Sequence, residues 1–519
     1  MSTAHTPDWM RWVDSGTAEY GGGTATDSSG NVYIAGYSDG TGTSIRFGNT
    51  AAYAKPATTL NAAFFGKLDS SGVPQWLQWI DGGSSDYGAS VATDLSGSVY
   101  VMGRSQSGGT TIRFGDDAAY PKPSTTGTAT FFGKFDSSGV GQWLKWIDGT
   151  GDELPGTLLT DSVGNVYVYG YSSTTGTSIL FGASGDTYTK PATSQNAVFL
   201  GKLDSSGVRQ WLQWIDGPLI DLGVGLALDS SGNIYVGGNS SSTATSMRFG
   251  TIASYAKPAT VGSAVFVGKL DSSGTPQWVQ WIDGAGAESG GSVSVDSAGN
   301  VYVGGFSDTS GTVIRFGDNA SYTKPATTLN AAFVGKLDSS GVGQWLQWID
   351  GTGADSINSV VADSAGNIYF TGNSTSTETA ILFADNAAYA KPSTIGIGVF
   401  VGKLNTLGTG QWILWIDGGA TTVEYGNMVI LDSSGNLYIN GTSGTTATTI
   451  RFGNIAAFSK PGTASNAVFL AKLLAPLAAA TAYTSQILNA VISPVRRGDA
   501  KPVSGQTMFF GFGGGVMRE

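Results

Sequence analysis

Four short runs of apolar and small residues recur in a fixed order along the chain, separated by glycine-rich turns. In the first unit these runs are YGGGTAT, VYIAGYS, AAFFGKL and PQWLQWID. Runs of this length and composition predict β-strands. The segment Asp27–Asn31 between the first two has the Asp, Gly and Asn residues of a hairpin turn. Each unit is therefore predicted to be an antiparallel meander of four strands, a to d.

Paired tryptophans mark the repeat. The second tryptophan of each pair stands at Trp12, Trp79, Trp146, Trp214, Trp281, Trp348 and Trp415. The steps are 67 residues with one step of 68, and the first tryptophan stands three residues earlier. Such a period in a β-rich chain predicts a propeller, with the small residues of strand a at the hub and the indoles of strand d at the rim. Residues three apart point to opposite faces of a strand, so each blade is expected to offer one indole to each neighbour.

The count of units predicts how the ring closes. Turns between strands a and b begin at Asp27, Asp94, Asp161, Asp229, Asp296, Asp363 and Asp432. The seventh unit has its strand c, Asn466–Leu473, but no tryptophan strand after it, whereas Asp8–Asp14 is a tryptophan strand without a unit. We expect these two segments to pair and to remove the open sheet edge.

The predicted fold is all-β: a seven-bladed β-propeller of four-stranded blades over residues 1–474, closed by the N-terminal strand 8–14. A C-terminal extension, residues 475–519, follows the last repeat. It is predicted to contain a short helix over 478–492 and then an extended docking segment, whose apolar, glycine-rich end would be a liability if left exposed.

The pattern D-SSGN-VYV-GYS, followed by AFVGKLDSSG and QW–WIDG, resembles the seven-bladed β-propeller repeat (SBBP) family. The resemblance covers about residues 8–474 and implies the fold. It implies little about activity, because propellers host many functions. The chain departs from the usual unit in its long b–c segment with a repeated Lys-Pro.

Composition argues against several function classes. The net charge is −11 and no basic stripe is present, so nucleic-acid binding is not expected. The chain has no cysteine and one histidine, His5, which is expected to lie outside the ring. The HExxH, P-loop and EF-hand signatures are absent. Carboxylate pairs leave a glycan-active enzyme open on residue type, but near-identical blades do not supply the unlike residues of an active site. We expect no enzyme and no cofactor.

One acidic residue recurs eight residues before each a–b turn, on the face that holds the d–a and b–c connections. These residues are Glu19, Asp86, Glu153, Asp221, Glu288, Asp355 and Glu424. Seven carboxylates at the mouth of the channel would repel one another, raise their pKa values or attract a cation. In the alternative interpretation, each carboxylate caps local backbone N–H groups.

A Tyr-x-Lys-Pro motif recurs in the b–c segments, beginning with Tyr53 and Lys55. The lysine recurs as Lys122, Lys190, Lys257, Lys324, Lys391 and Lys460. Arg46 stands upstream and recurs as Arg113, Arg248, Arg315 and Arg451, with Leu180 and Leu382 in the other two blades. The motif indicates a solvated, structured loop or an array of protein or glycan contacts.

The sequence favours a non-catalytic structural or adhesive disc within a larger surface assembly, such as a virion or phage tail. The tail would bind other proteins of that assembly, and the b–c face would meet partners. Arg497, Gly498 and Asp499 spell a possible adhesive tripeptide in the tail. A multivalent glycan-binding propeller is the alternative. Residues 1–10 lack the features of a signal peptide, and Leu473–Val495 is too polar for a membrane span.

Overall fold

A computed structural model gives the structure of part of the chain. It describes residues 5–40, 42–48, 51–56, 60–106, 111–115, 118–123, 127–173, 178–182, 186–190, 196–217, 220–241, 246–250, 253–257, 262–308, 313–317, 320–325, 329–375, 380–383, 387–390, 397–418, 423–444, 449–453, 456–460, 466–476 and 491–492. These residues form seven antiparallel sheets. Strand a of each sheet contacts strand a of the next, and the seventh contacts the first, so the seven-bladed ring is closed as predicted.

The four strands of each blade follow the repeat. Strand a spans Glu19–Thr26, Asp86–Thr93, Glu153–Thr160, Asp221–Leu228, Glu288–Val295, Asp355–Ala362 and Glu424–Leu431 in blades 1 to 7. Strand b spans Val32–Ser38, Val99–Ser105, Val166–Ser172, Ile234–Ser240, Val301–Ser307, Ile368–Ser374 and Leu437–Ser443. Strand c spans Ala62–Leu68, Ala129–Phe135, Ala197–Leu203, Ala264–Leu270, Ala331–Leu337, Gly398–Leu404 and Ala467–Leu474. Strand d spans Pro74–Gly82, Gly141–Asp148, Arg209–Asp216, Pro276–Gly284, Gly343–Asp350, Gly410–Asp417 and, in blade 7, Thr6–Asp14.

The N-terminal strand completes the seventh blade, as the count of units predicted. Thr6–Asp14 pairs antiparallel with Ala467–Leu474, with Trp12 opposite Phe469 and an irregularity between Pro7 and Trp9. The first and last strands of the propeller therefore share one sheet, and the ring has no open edge between its ends.

Two further strands, e and f, extend each sheet beyond the predicted four. Strand e spans Ser44–Phe47, Thr111–Phe114, Ser178–Gly182, Ser246–Phe249, Val313–Phe316, Ala380–Phe383 and Thr449–Phe452. Strand f spans Ala51–Ala54, Ala118–Pro121, Thr187–Thr189, Ala253–Ala256, Ala320–Thr323, Ala387–Ala390 and Ala456–Ser459. They form a hairpin inside the b–c segment, and strand e pairs with strand d of the preceding blade. The segment that we expected to be a loop is therefore a hairpin that covers the outer edge of the neighbouring sheet.

Each blade contacts both neighbours through its two indoles. The first tryptophan reaches the next blade, since Trp76 Nε1 donates to Ser137 O at 3.2 Å in the c–d turn of blade 2. The second tryptophan reaches back, since Trp79 Nε1 donates to Ala54 O at 2.9 Å in strand f, which extends the sheet of blade 7. The prediction of one indole for each neighbour is confirmed.

The a–b turns have the geometry that their sequence predicts. Asp27 Oδ1 accepts hydrogen bonds from the backbone N–H groups of Ser29 and Asn31 at 2.9 and 3.0 Å, and Oδ2 accepts from the hydroxyl of buried Tyr33 at 2.9 Å. Gly30 has φ of 75°, which favours glycine. The aspartate therefore organises both the turn and a tyrosine of the core.

Four residues of the C-terminal extension are described, 475–476 directly after strand c of blade 7 and 491–492. Val491–Ile492 is extended and pairs antiparallel with Gly225 and Leu226, on strand a of blade 4. These two residues are the end of the predicted helix 478–492, and here they form a strand. The rest of that helix and the docking segment lie outside the described residues and stay predictions.

Candidate functional site

The acidic residues lie at the start of each strand a, where they fasten the d–a connection to the end of strand b. Glu153 Oε2 accepts from the backbone N–H of Gly149 at 2.6 Å, and Oε1 accepts from the hydroxyl of Ser172 at 2.8 Å. The same backbone bond recurs in blades 2, 4, 5 and 6 at 2.6–2.8 Å. All seven acidic residues are at most 1% exposed. The structure thus places each carboxylate among hydrogen-bond donors of its own surroundings, which is the alternative that the sequence left open.

Burial, partly offset by the hydrogen bonds, raises the pKa of five of these carboxyls. The pKa is about 7 for Glu19, Asp86, Asp221 and Glu288 and about 8 for Glu153. The like charges that contribute next belong to aspartates near each carboxyl and not to the other carboxyls of the ring. Repulsion among the seven carboxyls, one of the outcomes that the sequence left open, is therefore not the main cause of these pKa shifts.

The lysine of the Tyr-x-Lys-Pro motif is buried beside the acidic residue of its own blade. Lys55 is 6% exposed, and its Nζ donates to the carbonyl of Asp39, just past strand b. Burial lowers the lysine pKa, while nearby carboxylates, Glu19 among them, raise it. The same lysine–acid coupling recurs at Lys122, Lys190, Lys257 and Lys460 with Asp86, Glu153, Asp221 and Glu424, and at Lys324 with Glu288. Lys391 lies outside the described residues. The solvated loop is thus wrong for this lysine.

The other residues of the motif hold the e–f hairpin. Tyr53 packs edge-on against Phe47 within that hairpin at a ring distance of 6.1 Å. Arg46 pairs with Asp14, the last residue of the strand that the hairpin extends. Equivalent pairs join Arg113, Arg248 and Arg315 to Asp81, Asp216 and Asp283 at 3.2, 2.6 and 2.5 Å. A contact role for Tyr53, Lys55 and Arg46 with partners stays a prediction, as does one for Arg497, Gly498 and Asp499, which lie outside the described residues.

One pattern in the sequence could have predicted that the acidic residue and the lysine of each blade lie close together. The lysine follows the acidic residue by 36 residues in six blades and by 37 in blade 3. Two ionisable residues that recur together at one spacing, each on the same face, are candidates for a pair. The acidic ring is therefore accompanied by buried lysines, which lowers its net negative charge. Cation binding by the ring stays a prediction.

His5 does not lie outside the ring, contrary to our expectation. It is 1% exposed, and its Nε2 donates to Gly435 O at 3.0 Å in the a–b turn of blade 7. Its ring packs against Tyr369 and Trp412 at 5.4 and 5.6 Å. Burial lowers its pKa to about 4. His5 is buried because it directly precedes the closing strand, Thr6–Asp14.

Within the described part of the chain, no group of three or more His, Asp or Glu residues is arranged to hold a metal. Among the same residues, no helix is long and apolar enough to cross a membrane.

Comparison with known proteins agrees with the geometry. Residues 210–243 and 344–378 match the beta-propeller repeat family SBBP. The chain carries SBBP beta-propeller repeats. Over 225 residues, 39% of this chain, it is 23% identical to an uncharacterized WD repeat-containing protein of Acanthamoeba polyphaga mimivirus. The chain spans 16% of that protein's length.

Solved structures resemble this SBBP-repeat chain only distantly. A mutant of the Synechocystis apocarotenoid oxygenase is 10% identical, with 78% of this chain and 91% of that chain covered and a TM-score of 0.32. The lignostilbene dioxygenase of Pseudomonas brassicacearum is 11% identical, with 76% and 93% covered and a TM-score of 0.31. Scores of this size carry no argument about function.

Proposed function

We propose that this SBBP propeller is a non-catalytic structural or adhesive disc of a larger surface assembly. The C-terminal extension would fasten it to other proteins of that assembly, and the face with the b–c connections would meet partners. The observation that carries this proposal is the interlocking of neighbouring blades. Strand d of each blade pairs with its own strand c and with strand e of the next blade. A ring linked in this way is suited to bearing load.

The repeated polar residues support a structural role. In the described part of the chain, turn aspartates, acidic residues, lysines and arginines make contacts inside the fold, as at Asp27, Glu153, Lys55 and Arg46. Groups that are engaged in this way hold blades together and are not positioned to react with a substrate. For the same reason, the structure gives no separate support to seven equal glycan sites built from Tyr53, Lys55 and Arg46.

The viral relative is compatible with a virion or related assembly, since its source is a mimivirus. Surface location of this chain is part of the proposal. The pairing of Val491–Ile492 with strand a of blade 4 brings the extension back to the hub, from which its remaining residues could engage a neighbour.

Anchoring by the tail is tested by comparing the mass in solution of the full chain with that of a chain that ends at Pro476. We expect the full chain to form higher-mass species in light scattering after size exclusion, and the shortened chain to be a folded monomer. Limited proteolysis of the full chain checks that the extension is protected. If both chains are monomers and the extension is cleaved at once, anchoring by the tail is wrong.

A further inference from the structure

Strand a of each blade has one edge that no strand of its own blade covers. One side of it pairs with strand b, and the other side faces the central channel. An uncovered edge carries backbone N–H and C=O groups that can pair with a further extended segment. Among the described strands, only strand a of blade 4 has such a partner, because Val491–Ile492 pairs antiparallel with Gly225 and Leu226.

The paired segment lies inside the ring. Besides strand a of blade 4, Val491–Ile492 lies beside strand a of blades 1, 2, 3 and 7. These strands are the innermost of their blades, so a segment that lies beside five of them is in the channel. The described part of the extension beyond Pro476 therefore occupies the channel.

The register of the pairing gives the direction of the extension. Strand a of blade 4 runs from Asp221, on the face of the acidic residues, to Leu228, next to the a–b turn. Because the pairing is antiparallel, Val491 stands opposite Leu226. Ile492 then lies one step closer to Asp221. The segment therefore runs from the a–b turn face toward the face of the acidic residues.

The start of the extension agrees with this direction. Strand c of blade 7 ends on the a–b turn face, where the backbone N–H of Ala475 donates to Asn436 Oδ1 in the a–b turn at 3.0 Å. The 14 residues 477–490 can span up to roughly 45 Å when extended. Strands a and c of one blade lie only about 10 Å apart. The connection is therefore long enough to enter the channel from this face.

An apolar groove opens at the same end of the channel. A cavity of about 500 Å³ lies among the a–b turns of blades 2, 3 and 4, and Leu228 at the end of strand a lines it. Leu95 and Val163 in these turns also line it and are 55% and 74% exposed. The other a–b turns carry serine or alanine at these two positions. Exposed apolar residues in one sector of this face indicate a covering segment, and the extension carries Ile487 and Leu488 shortly before its paired strand.

The charge pattern of the extension fits a passage through the channel. Residues 473–495 carry no charged side chain, and Arg496 is the first that follows. Four extended residues beyond Ile492 advance roughly 13 Å, which is also the length of strand a from the paired position to Asp221. The uncharged part thus matches the channel, and the arginine reaches the open face, where burial does not penalise its charge.

We propose that the channel edge of blade 4 is a binding site for an extended peptide segment, and that the chain's own extension occupies it by passing through the ring. The extension enters from the a–b turn face, Val491–Ile492 binds by backbone pairing, and the residues after Ile492 leave on the face of the acidic residues. The b–c connections lie on that face too, so the tail and these connections form one surface. Partner binding at this surface rests on the proposed function, whereas the path of the extension does not.

Distances between pairs of spin labels in the full chain test the path, since the chain has no cysteine of its own. Ser230→Cys labels the a–b turn of blade 4, and Ala285→Cys labels the connection after its strand d on the opposite face. Both positions are exposed. Ala500→Cys labels the tail beyond Ile492. We expect residue 500 to lie closer to residue 285 than to residue 230 by at least about 10 Å, because strand a separates the two faces by roughly 25 Å.

Ser485→Cys, which precedes the paired strand, provides the matched control and should lie closer to residue 230 than to residue 285. A large excess of unlabelled chain should leave these distances unchanged, since each extension occupies its own ring. If residue 500 lies nearer to residue 230, the extension does not pass through. If dilution abolishes the short distances, the segment comes from a second copy. Either result overturns the proposal.

Val491→Pro together with Ile492→Pro tests the strand pairing, because proline removes the backbone donors of the segment. In this variant residue 500 should lose its preference for residue 285. An unchanged preference would show that pairing with blade 4 does not hold the extension, and the binding site would then be wrong. Thermal unfolding shows whether each labelled ring is folded, and Ser231→Cys serves if Ser230→Cys is not.

Discussion

Asp86 and Asp94 lie at opposite ends of strand a in blade 2, and the fold treats their carboxyl groups in opposite ways. Burial raises the pKa of Asp86 to about 7. Burial also acts to raise the pKa of Asp94, but hydrogen bonds from Ser96, Ser98 and Tyr100 together outweigh it and lower the pKa. One end of the strand therefore favours a neutral carboxyl group and the other favours a carboxylate.

The opposite pKa shifts of these two carboxyl groups reflect different surroundings on the two faces of the ring. At the a–b turns, backbone N–H groups converge on each aspartate, and the charge itself holds the turn. At the opposite face, each acidic residue is enclosed, and a buried lysine lies near it in the six blades whose lysine is described. Residue type alone does not distinguish these roles, whereas the depth of burial does.

The contrast between the two ends of strand a exists only in a complete, folded ring. Removal of the closing strand is therefore expected to have the largest effect on stability. Deletion of residues 1–14 takes away strand d of blade 7 with buried Trp9 and Trp12, and it uncovers strand c and hairpin e–f. We expect a loss of more than about 5 kcal/mol in the free energy of unfolding, since burial of each tryptophan alone is worth several. Chemical denaturation followed by tryptophan fluorescence measures it.

A synthetic peptide of residues 5–14 provides the control. Added to the shortened chain, it should restore part of the lost stability by supplying the missing strand. Unfolding of the shortened chain at the same denaturant concentration as the full chain would contradict ring closure by this strand.

The same substitution at both ends of strand a should change stability in opposite directions. Asp94→Asn weakens charge-assisted hydrogen bonds and turns an amide toward the Tyr100 hydroxyl, so we expect a loss of about 2 kcal/mol. Asp86→Asn removes a charge that burial disfavours, while the amide can still accept from Gly82 and donate to Ser105. A gain of about 1 kcal/mol at pH 8 is expected. The denaturation midpoints of the two variants measure these changes in stability. If both variants gain or both lose stability, the proposed contrast between the two faces is wrong.

The acidic residues also predict how stability depends on pH. In Glu19, Asp86, Glu153, Asp221 and Glu288, the folded-state pKa values of about 7 to 8 exceed those of the unfolded chain. Between about pH 4.5 and 8 the folded chain therefore binds more protons, and its stability falls as pH rises through this window. We expect higher unfolding midpoints at pH 6 than at pH 8.5. Asp86→Asn should reduce this difference, and a midpoint that rises with pH would contradict the prediction.

His5 acts in the opposite direction. Its folded-state pKa of about 4 lies below that of the unfolded chain, so stability is lost as pH falls from about 6.5 towards 4. His5→Gln keeps a donor for Gly435 without a titrating ring. We expect this variant to lose about 1 kcal/mol less than the unaltered chain between pH 6.5 and 4.5. Parallel pH profiles of the two chains would show that His5 does not contribute.

The architecture followed from the sequence because it rests on periodicity. Blade number, the joining of the two ends, the turn aspartates and the direction of the indoles all depend on residues that recur at one spacing. The e–f hairpin was missed because its partner, strand d of the preceding blade, is not adjacent to it in the unit. Burial of Lys55 and of His5 was missed for the same reason, since each is covered by segments remote in sequence.

The candidate site was less predictable than the fold. The recurrence of Glu19 and its equivalents located the carboxylates on the correct strand but gave no depth of burial, which depends on side chains from several elements. Leu226 and Val491 lie far apart in the sequence, and only their pairing inside the ring joins them. Recurrence therefore locates residues that build the ring, and departures from it are the places to look for binding.

The arginine–aspartate pairs at the rim should have the smallest effect of the charged contacts. Arg113 is 43% exposed and pairs with Asp81 at 3.2 Å, and an exposed ion pair is worth about 0.5 kcal/mol. Blades 3 and 6 already carry Leu180 and Leu382 at this position on the same hairpin. Arg113→Leu should therefore lower the free energy of unfolding by no more than about 0.5 kcal/mol, and by less in high salt. A loss as large as that of Asp94→Asn would show that the outer hairpin, and not the hub, controls cohesion of the blades.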